Sequence, residues 1–366
     1  MWWPDGPEVT IMSYDTAVLN KAARRVLEVL TIHVLILDEA HYLKTIDTKR
    51  TKFIYNPRRP EAGLASRADY VWPLSGTFSP NHVGEYWTHL RTLFPELIQG
   101  SDGRPMGYIS FLQEFTKWKA GVHGGIQVFS TKESSKTRLR EILRTAGLRR
   151  TLEEILPDLP PLVWGTVAVA PECASAELEA LEATPEVQAL RDHLEVTGDF
   201  ASDSIHLATL RRLIGRVKVA AVANLVKEEL SAGHYEKIVI WAWHKDVVQY
   251  LCGALGSWGL VMIDGSVSQS QRGERVSKFQ QDPATRIFVG QIQAAGTAIT
   301  LTAANQVLFA ESSWVPDEML QAAKRAHRFG QTQPVFARIA ALDKSVDQVV
   351  AATHNRKLAS KVEIGD

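Results

Sequence analysis

The sequence predicts an α/β protein with two lobes, each built on a parallel sheet, and with helical protrusions between them. Three observations predict this fold class. Apolar, strand-like runs alternate with segments of helical periodicity in both halves of the chain, as in sheets with crossover helices. The run at 32–37 is apolar at nearly every position, which is typical of a strand buried on both faces. The length of 366 residues is enough for two or three domains with their own cores.

The N-terminal half contains strand-like runs, one clear helix and a long polar segment. The predicted strands lie at 9–13, 32–37 and 70–74. A helix is predicted from Ala17 to Leu30, where apolar residues recur at helical spacing. Residues 108–156 are predicted to be mostly helical, and prolines at 157, 160 and 161 then interrupt the pattern. We therefore expect a first lobe at 1–161 and a second at 162–366.

The C-terminal half returns to the α/β pattern after two helices. A Glu- and Ala-rich helix is predicted from Ala174 to Leu194, and a longer one from Ile205 to Leu230. The longer helix has apolar residues at the spacing of one buried stripe. Five strands are predicted at 237–241, 259–263, 286–289, 306–309 and 335–339. The second lobe is therefore predicted to be the fuller of the two.

The composition excludes several classes of protein. Lys plus Arg and Asp plus Glu both number 41, so the net charge of zero gives no simple sign of a nucleic-acid partner, although a local basic face is compatible with it. The two cysteines, Cys173 and Cys252, are too few for a disulfide framework or a cysteine zinc site. No apolar run reaches the ~18 residues of a membrane span, and the N-terminus does not resemble a signal peptide. We expect a soluble intracellular protein with no membrane partner.

The strongest local signal is a pair of acidic residues directly after the apolar run at 32–37. Asp38 and Glu39 stand where a parallel strand ends, which is the edge of an open α/β sheet at which ligands bind. Two such carboxylates can divide the work of nucleotide hydrolysis. Asp38 would hold Mg²⁺ through water, and Glu39 would orient and deprotonate the attacking water. The alternative is that the acids merely favour the N-terminus of a helix.

Two further segments gain meaning from their position. Ser75, Gly76 and Thr77 follow the strand predicted at 70–74, although alone they indicate only a turn. The stretch 319–331 is predicted to be a helix in which Gln321, Arg325 and Arg328 fall within about 60° of one another. Guanidinium groups match phosphate oxygens and stabilise charge on a transferring phosphoryl group. The alternative is a solvated basic face.

Ligand-facing loops are also expected after two strands of the second lobe. The residues Asp264-Gly265-Ser266 follow one predicted strand and precede a polar helix. The segment 292–300 follows another, and its small residues would let the backbone approach a ligand closely. A phosphate-binding loop of the form G-x-x-x-x-G-K-[ST] is absent, because none of the 24 glycines is followed by Lys.

The order and spacing of these motifs resemble those of the Swi/Snf-type ATPases of helicase superfamily two, which are double-stranded-DNA translocases with two RecA-like lobes. The resemblance extends over about 9–350. A lean towards the HepA-related annealing-helicase branch rests on 208–223 and 241–245. The motifs that carry it are Val9-Thr-Ile-Met-Ser-Tyr-Asp15, the DEAH box at 38–41, Ser75-Gly76-Thr77, Leu148-Arg149-Arg150 with Leu156-Pro157-Asp158-Leu159-Pro160, Ile263-Asp264-Gly265-Ser266, Ala295-Gly296, Trp314-Val315-Pro316 and Gln321-Ala-Ala-Lys-Arg-Ala-His-Arg-Phe-Gly-Gln331.

The resemblance implies a role for each matching residue. ATP and Mg²⁺ would be the cofactors, and double-stranded or branched DNA the partner. The catalytic residues would be Glu39, Arg325 and Arg328, with both arginines reaching the γ-phosphate. Asp38 would hold the metal, and the nucleotide would contact Asp38, Gly296 and Gln321. Coupling of hydrolysis to movement would fall to His41, Ser75, Gly76 and Thr77. The DNA contacts would be Gly265, Ser266, Thr297, Thr300 and Trp314.

The sequence also departs from the family pattern. The phosphate-binding loop is missing, and Phe78, Lys324 and Ala298 stand where the family usually has Pro, Asp and Gly. We therefore expect an N-terminally incomplete first lobe and an isolated chain that is inactive. The chain would be one piece of a split enzyme completed by a P-loop-bearing chain, a truncated product, or a degenerate DNA-binding or regulatory module. Its short form suggests a bacterial or phage source.

Overall fold

A computed structural model of the protein describes residues 9–76, 78–79, 82–120, 126–150, 152–171, 175–197, 205–295, 299–313 and 315–364. The chain divides into two compact units, Met1–Arg149 (unit 1) and Arg150–Asp366 (unit 2). Each unit contains a parallel sheet with helices connecting its strands, so the predicted α/β class is confirmed. The lobe boundary expected at 161 stays a prediction. Among the described residues, no helix is both long and apolar enough to cross a membrane.

Unit 1 begins with two short helices rather than the strand and single helix that were predicted. The run at 9–13 has no regular structure, and Ser13 caps the helix that follows it. Asn20 then ends the first helix and caps the second, because its side chain accepts from the backbone N–H groups of Ala22 and Ala23. A capping side chain in an extended backbone conformation therefore divides the predicted helix. The elements of unit 1 are α1 (Tyr14–Leu19), α2 (Lys21–Val29), β1 (Ile32–Leu37), α3 (Lys49–Ile54), β2 (Ala68–Pro73), α4 (Trp87–Leu93), α5 (Tyr108–Phe115), β3 (Thr116–Ala120), β4 (Ile126–Thr131) and α6 (Lys136–Ala146).

The main sheet of unit 1 is the parallel pair β1–β2, and it is buried on one face only. Leu35 and Leu37 of β1, with Val71 of β2, pack into the core of the unit. On the opposite face Val34 and Ile36 are exposed, so the prediction of a strand buried on both faces is wrong. An apolar residue at nearly every position means that both faces of the strand can be buried, but the described residues bury only one of them.

Among its described residues the segment 108–156 is mostly helical, as predicted, although it also holds a hairpin that was not predicted. It contains the antiparallel hairpin β3–β4 between α5 and α6. In β3, Lys117 is exposed and Trp118 is half-buried, and the polar, basic composition of the segment hides this alternation. The helices around the hairpin pack on a separate apolar cluster that includes Phe111 and Ile142.

Unit 2 is built on a six-stranded parallel sheet. The predicted strands in its C-terminal part are all present, with bounds that differ from the expected ones by at most three residues. The strand order is β5-β10-β9-β6-β8-β7, and both faces are covered by apolar clusters. Its elements are α7 (Leu152–Ile155), β5 (Leu162–Val169), α8 (Ala176–Glu182), α9 (Pro185–Thr197), α10 (Ile205–Ser231), β6 (Ile238–Ala242), α11 (Lys245–Leu255), β7 (Leu260–Ile263), α12 (Gln269–Gln281), β8 (Ile287–Gln291), α13 (Ile292–Ala295), β9 (Gln306–Phe309), α14 (Pro316–Ala323), β10 (Val335–Leu342) and α15 (Val346–Ile364).

Two elements of unit 2 differ from the prediction. Strand β5 was missed, because it lies at the end of the sheet order, is half-exposed along its length and follows directly on Pro160 and Pro161. The single helix predicted at 174–194 is two helices, α8 and α9, which meet just before Pro185. Proline is favoured in the first turn of a helix, because the backbone N–H that it lacks would have no partner within the helix there. The long helix α10 matches the prediction within one residue.

Candidate functional site

The acidic pair lies in a tight turn at the exit of β1. The backbone of this exit is bonded to the exit of β2, since Leu74 N–H donates to Leu37 O (2.9 Å) and Ala40 N–H donates to Leu74 O (2.8 Å). Glu39 adopts a left-handed backbone conformation, with φ 49° and ψ 48°. A non-glycine residue rarely takes this conformation, and such residues cluster at functional sites. The turn therefore holds two carboxylates at the carboxyl edge of the sheet, as the sequence predicted.

His41 links the acidic turn to the segment after β2. Its Nδ1 lies 3.1 Å from Glu39 Oε2 and 3.3 Å from Ser75 Oγ. The structure thus brings together Glu39, His41 and Ser75, three residues predicted to act in catalysis and coupling. Gly76 follows in open space, where a Cβ would meet no atom within 4 Å. Thr77 lies outside the described residues.

Asp38 presents a carboxylate to solvent. Its Oδ1 accepts the Glu39 N–H at 3.0 Å, and its carbonyl oxygen accepts the Tyr14 hydroxyl at 2.9 Å. Burial, together with the charge of Asp38, raises the pKa of Tyr14 to about 12, so this hydroxyl stays a donor. Mg²⁺ takes oxygen ligands and is commonly bound by one or two carboxylates and several waters, which an exposed Asp38 fits. Among the described residues, no group of three or more His, Cys, Asp or Glu could enclose a metal ion.

The predicted helix at 319–331 ends early, and this corrects the argument that placed Gln321, Arg325 and Arg328 on one helical face. Helix α14 stops at Ala323, and turns follow up to Gly330, which has φ +95°. Gln321 is therefore helical, whereas both arginines lie in turns. Two buried polar anchors account for the early end. His327 Nε2 lies 2.7 Å from Pro160 O, and Gln331 is fixed further along.

Gln331 is a structural anchor that the sequence did not reveal. Its amide nitrogen lies 3.1–3.3 Å from the carbonyl oxygens of Thr302, Ala304 and Ala326. Its amide oxygen accepts the N–H groups of Thr332 and Gln333 at 3.0 Å. One buried side chain therefore satisfies backbone groups from several segments, including the turn between the two arginines.

The arginine-bearing turns instead meet the loop that follows α13. Leu301 N–H donates to Arg325 O at 2.8 Å, and Arg328 Nη1 donates to Ile299 O at 3.3 Å. Thr300 lies between these two attachments. The structure thus joins the predicted γ-phosphate arginines to a predicted DNA-contacting residue by tertiary contacts. Gly296, Thr297 and Trp314 lie outside the described residues.

The loop after β7 is organised by Asp264. Its Oδ1 accepts the backbone N–H of Ser266 at 2.9 Å and the Ser266 hydroxyl at 2.5 Å. The hydroxyl bond is the main reason that the pKa of Asp264 is lowered. Gly265 is exposed at the tip of this loop. The predicted DNA-contacting residues Gly265 and Ser266 are therefore held in a fixed turn, and the Ser266 hydroxyl already donates its hydrogen bond to Asp264.

A buried carboxylate, Glu311, ties together three elements of unit 2, and sequence reasoning missed it. It follows β9 and is 1% exposed. Its Oε2 accepts the N–H groups of Trp243 and His244 at 2.9 Å, and its Oε1 lies 2.6 Å from His244 Nδ1. The Arg211 guanidinium of α10 stacks 4.1 Å from the Trp243 ring, and Glu311 also touches Gly215 so closely that a Cβ there would collide. No sequence motif indicates this network, because its residues are far apart in the sequence.

Comparisons with known proteins define the class of this chain. Residues 5–178 match the SNF2-related domain, and residues 218–330 match the helicase conserved C-terminal domain. The chain thus contains a SNF2-related domain followed by a helicase C-terminal domain, and the resemblance to the Swi/Snf-type ATPases is confirmed. This family implies the use of a nucleotide.

The relatives agree with the annealing-helicase lean. The DNA annealing helicase and endonuclease ZRANB3 of Mus musculus is 30% identical over 96% of this chain and 32% of its own length. The SWI/SNF-related matrix-associated actin-dependent regulator of chromatin subfamily A-like protein 1 of Xenopus tropicalis is 28% identical over 89% of this chain and 32% of its own length. The chain therefore spans about a third of the length of these relatives. Both are animal proteins, so they give no support to a bacterial or phage source.

The Sulfolobus solfataricus SWI2/SNF2 ATPase core in complex with dsDNA is 22% identical, with a TM-score of 0.37 over 93% of this chain and 73% of that chain.

Proposed function

We propose that this chain is the motor portion of a DNA-dependent ATPase that couples ATP hydrolysis to movement along double-stranded or branched DNA. The observation that carries the proposal is the contact of His41 with both Glu39 and Ser75. A group that touches the water-activating acid and the next strand exit can transmit a change at the nucleotide to the rest of the lobe. A merely structural acidic turn has no need of this bridge.

The roles assigned to the other residues follow from the same proposal. Asp38 holds Mg²⁺, Glu39 orients the attacking water, and Arg325 and Arg328 stabilise charge on the γ-phosphate. The fixed loop at 264–266 and the loop containing Thr300 contact the DNA backbone. Such contacts are independent of sequence and weaken as salt rises, because they release counterions from the phosphates.

The phosphate-binding loop is the one element of such a motor that the given sequence does not contain. The sequence encodes no G-x-x-x-x-G-K-[ST] loop, and the P-loop lysine contacts the β- and γ-phosphates in enzymes of this kind. The given chain alone would therefore have negligible ATPase activity while still binding DNA.

The first experiment measures DNA binding and ATP hydrolysis by the pure chain. We expect salt-dependent binding to duplex DNA and no DNA-stimulated turnover above the level of the Glu39→Gln variant. DNA-stimulated turnover that Glu39→Gln abolishes would show that the chain is a complete enzyme. Absence of DNA binding at low salt would contradict the motor proposal itself.

A second candidate is a catalytically degenerate DNA-binding or regulatory module on the same scaffold. The missing P-loop is the observation that favours it. The two candidates differ in what happens when a P-loop chain is supplied: the motor gains ATPase activity that depends on Glu39, and the module does not.

A further inference from the structure

The segment 132–150 concentrates positive charge in a chain whose net charge is zero. Its basic residues outnumber its acidic ones by seven to two. Whether such a run can bind a partner depends on which of its charges already have partners inside the fold. The basic residues are Lys132, Lys136, Arg138, Arg140, Arg144, Arg149 and Arg150, and the acidic ones are Glu133 and Glu141.

Three of these cations serve the fold of unit 1. Arg138 joins α6 to α5 and to the loop before it, because its guanidinium donates to the Glu114 carboxylate (2.8 Å) and to the Gln99 carbonyl oxygen (3.0 Å). The Lys132 ammonium donates to a backbone carbonyl of α5. Lys136 forms an ion pair of 2.6 Å with the acidic residue three positions before it. These contacts are local, and they leave the rest of the charge on α6 without a structural use.

Arg140 and Arg144 have no such use. They lie four residues apart on the exposed side of α6, and the opposite side packs into the apolar cluster of the unit through Leu139 and Ile142. Within the part of the chain that the structure describes, neither guanidinium forms a hydrogen bond or an ion pair. A separation of four residues places the two groups on one side of the helix, about 6 Å apart along its axis.

A third cation beside this pair comes from the hairpin. Lys117 of β3 is exposed. The pKa of Glu133 is lowered first by its hydrogen bond with Lys136 and further by the charges of Arg140 and Lys117, which therefore surround one exposed acid. The hairpin and α6 thus contribute to a single positive surface. We call Lys117, Arg140 and Arg144 the α6 basic face.

The chemistry of this face indicates the kind of partner. Guanidinium forks match phosphate oxygens, and hydroxyl groups such as that of the exposed Thr137 also donate to phosphates. Glu141 is the one acidic residue of α6, and no large apolar side chain of this helix is exposed among the described residues. A protein interface normally has an apolar centre, whereas a nucleic-acid backbone needs only spaced cations.

We propose that the α6 basic face binds the phosphate backbone of double-stranded DNA, independently of base sequence. The inference rests on the proposed function and deepens it, because it adds a DNA contact in unit 1 to the loops at 264–266 and around Thr300 in unit 2. DNA is then held by side chains of both units, and the hairpin and α6 gain a function besides packing.

The test measures duplex DNA binding by fluorescence anisotropy over a series of salt concentrations. The variant is Arg140→Gln with Arg144→Gln in the full chain. The matched control is Lys21→Gln with Arg25→Gln, two exposed cations that are also four residues apart, on α2 of the same unit. Both double variants change the net charge equally, so only the position of the lost charge differs.

We expect the salt slope of the variant to fall by about 1.8, because each lost phosphate contact removes about 0.9. Its affinity at 0.1 M salt should then be roughly 60-fold lower, whereas the control should bind as wild type does. Arg140→Lys with Arg144→Lys keeps both charges and should keep the slope. Thermal unfolding should be unchanged in all of these variants, since the substituted side chains are exposed.

Several results would overturn the inference. An unchanged slope in the Gln variant would leave the proposed function standing, because unit 2 would then supply the DNA contacts. An equal loss in the control would mean a general effect of charge. Weaker binding of poly-glutamate with intact DNA binding would assign the face to an acidic polypeptide.

A variant of unit 2 keeps this inference distinct from the proposed function. Gly265→Glu adds an acid at an exposed loop tip where a Cβ meets no atom within 4 Å. Loss of DNA binding in the Arg140 and Arg144 variant alone would support the face and contradict the DNA role of the 264–266 loop. Loss in Gly265→Glu alone would support that loop and overturn the α6 basic face.

Discussion

Replacing Glu311 by Ala tests the network that holds the loops at the carboxyl edge of the sheet in unit 2. The substitution removes the acceptor for two backbone N–H groups, of Trp243 and His244, and the partner of the His244 ring. The alanine side chain cannot replace these bonds, and a carboxylate that is 1% exposed leaves a space enclosed by protein.

The magnitude follows from the groups left without partners. A buried donor that loses its acceptor costs about 1–3 kcal/mol, so two such N–H groups cost about 4 kcal/mol together. In Glu311→Gln, an amide oxygen still accepts both N–H groups, and only the charge-assisted part of the bonds is lost. We expect about 1.5 kcal/mol for Gln, because bonds to charged groups exceed neutral ones by roughly that amount.

Native-state hydrogen exchange read by mass spectrometry suits this test, because it reports the stability of each unit separately. Peptides that cover β6 and β9 give the free energy of opening in unit 2, and peptides that cover β1 give it for unit 1. The order of effect should be Ala greater than Gln, with unit 1 unchanged. The matched control is Glu274→Ala on the exposed side of α12, which should change neither unit.

Two results would refute the reasoning. A loss below about 1 kcal/mol in Glu311→Ala would mean that water or a rearranged loop satisfies the freed N–H groups. A loss in Glu311→Gln equal to that of Ala would mean that the charge, rather than the pair of backbone bonds, holds the network together.

Three other variants test single features of unit 2. Lys218→Met leaves Asp347 buried without the partner of its ion pair (2.7 Å), which should lower the free energy of unfolding in urea by about 3–5 kcal/mol. Adding Asp347→Leu should restore most of this loss. Gly259→Ala should cost about 2 kcal/mol or more, because φ is +73° and the new Cβ would collide with Ala284 O. The lowered pKa of Asp264 stabilises unit 2 above about pH 4, so the stability gap between wild type and Asp264→Asn should narrow as pH falls through that pKa in acid titrations.

The amount of structure that the sequence predicted depends on how local its cause is. The central strands of unit 2 follow from their apolar runs, and α10 follows from its apolar stripe. The end of α14 at Ala323 could not be predicted, because it depends on bonds from His327 and Gln331 to segments that are distant in sequence. Helical spacing is a local rule, and tertiary bonds override it.

The candidate site divides in the same way. The placement of Asp38 and Glu39 at a strand exit was predictable, because an apolar, strand-like run precedes them directly. The bridge from His41 to Ser75 required the register of β1 against β2, which is set by packing of the whole unit. Glu311 was not predictable at all, since its partners come from the loop after β6 and its charge stands beside no recognisable motif.

The one wrong prediction about β1 is the most informative about function. Strands β1 and β6 have nearly the same apolar character, yet β6 is buried along its whole length and β1 is not. Apolar character reports which surfaces a strand can bury, and the residues around it decide which surfaces are buried. The difference in burial between the two strands therefore marks a surface that the described residues do not cover. This surface is the outer face of β1–β2, whose strands end at the turn that holds Asp38 and Glu39.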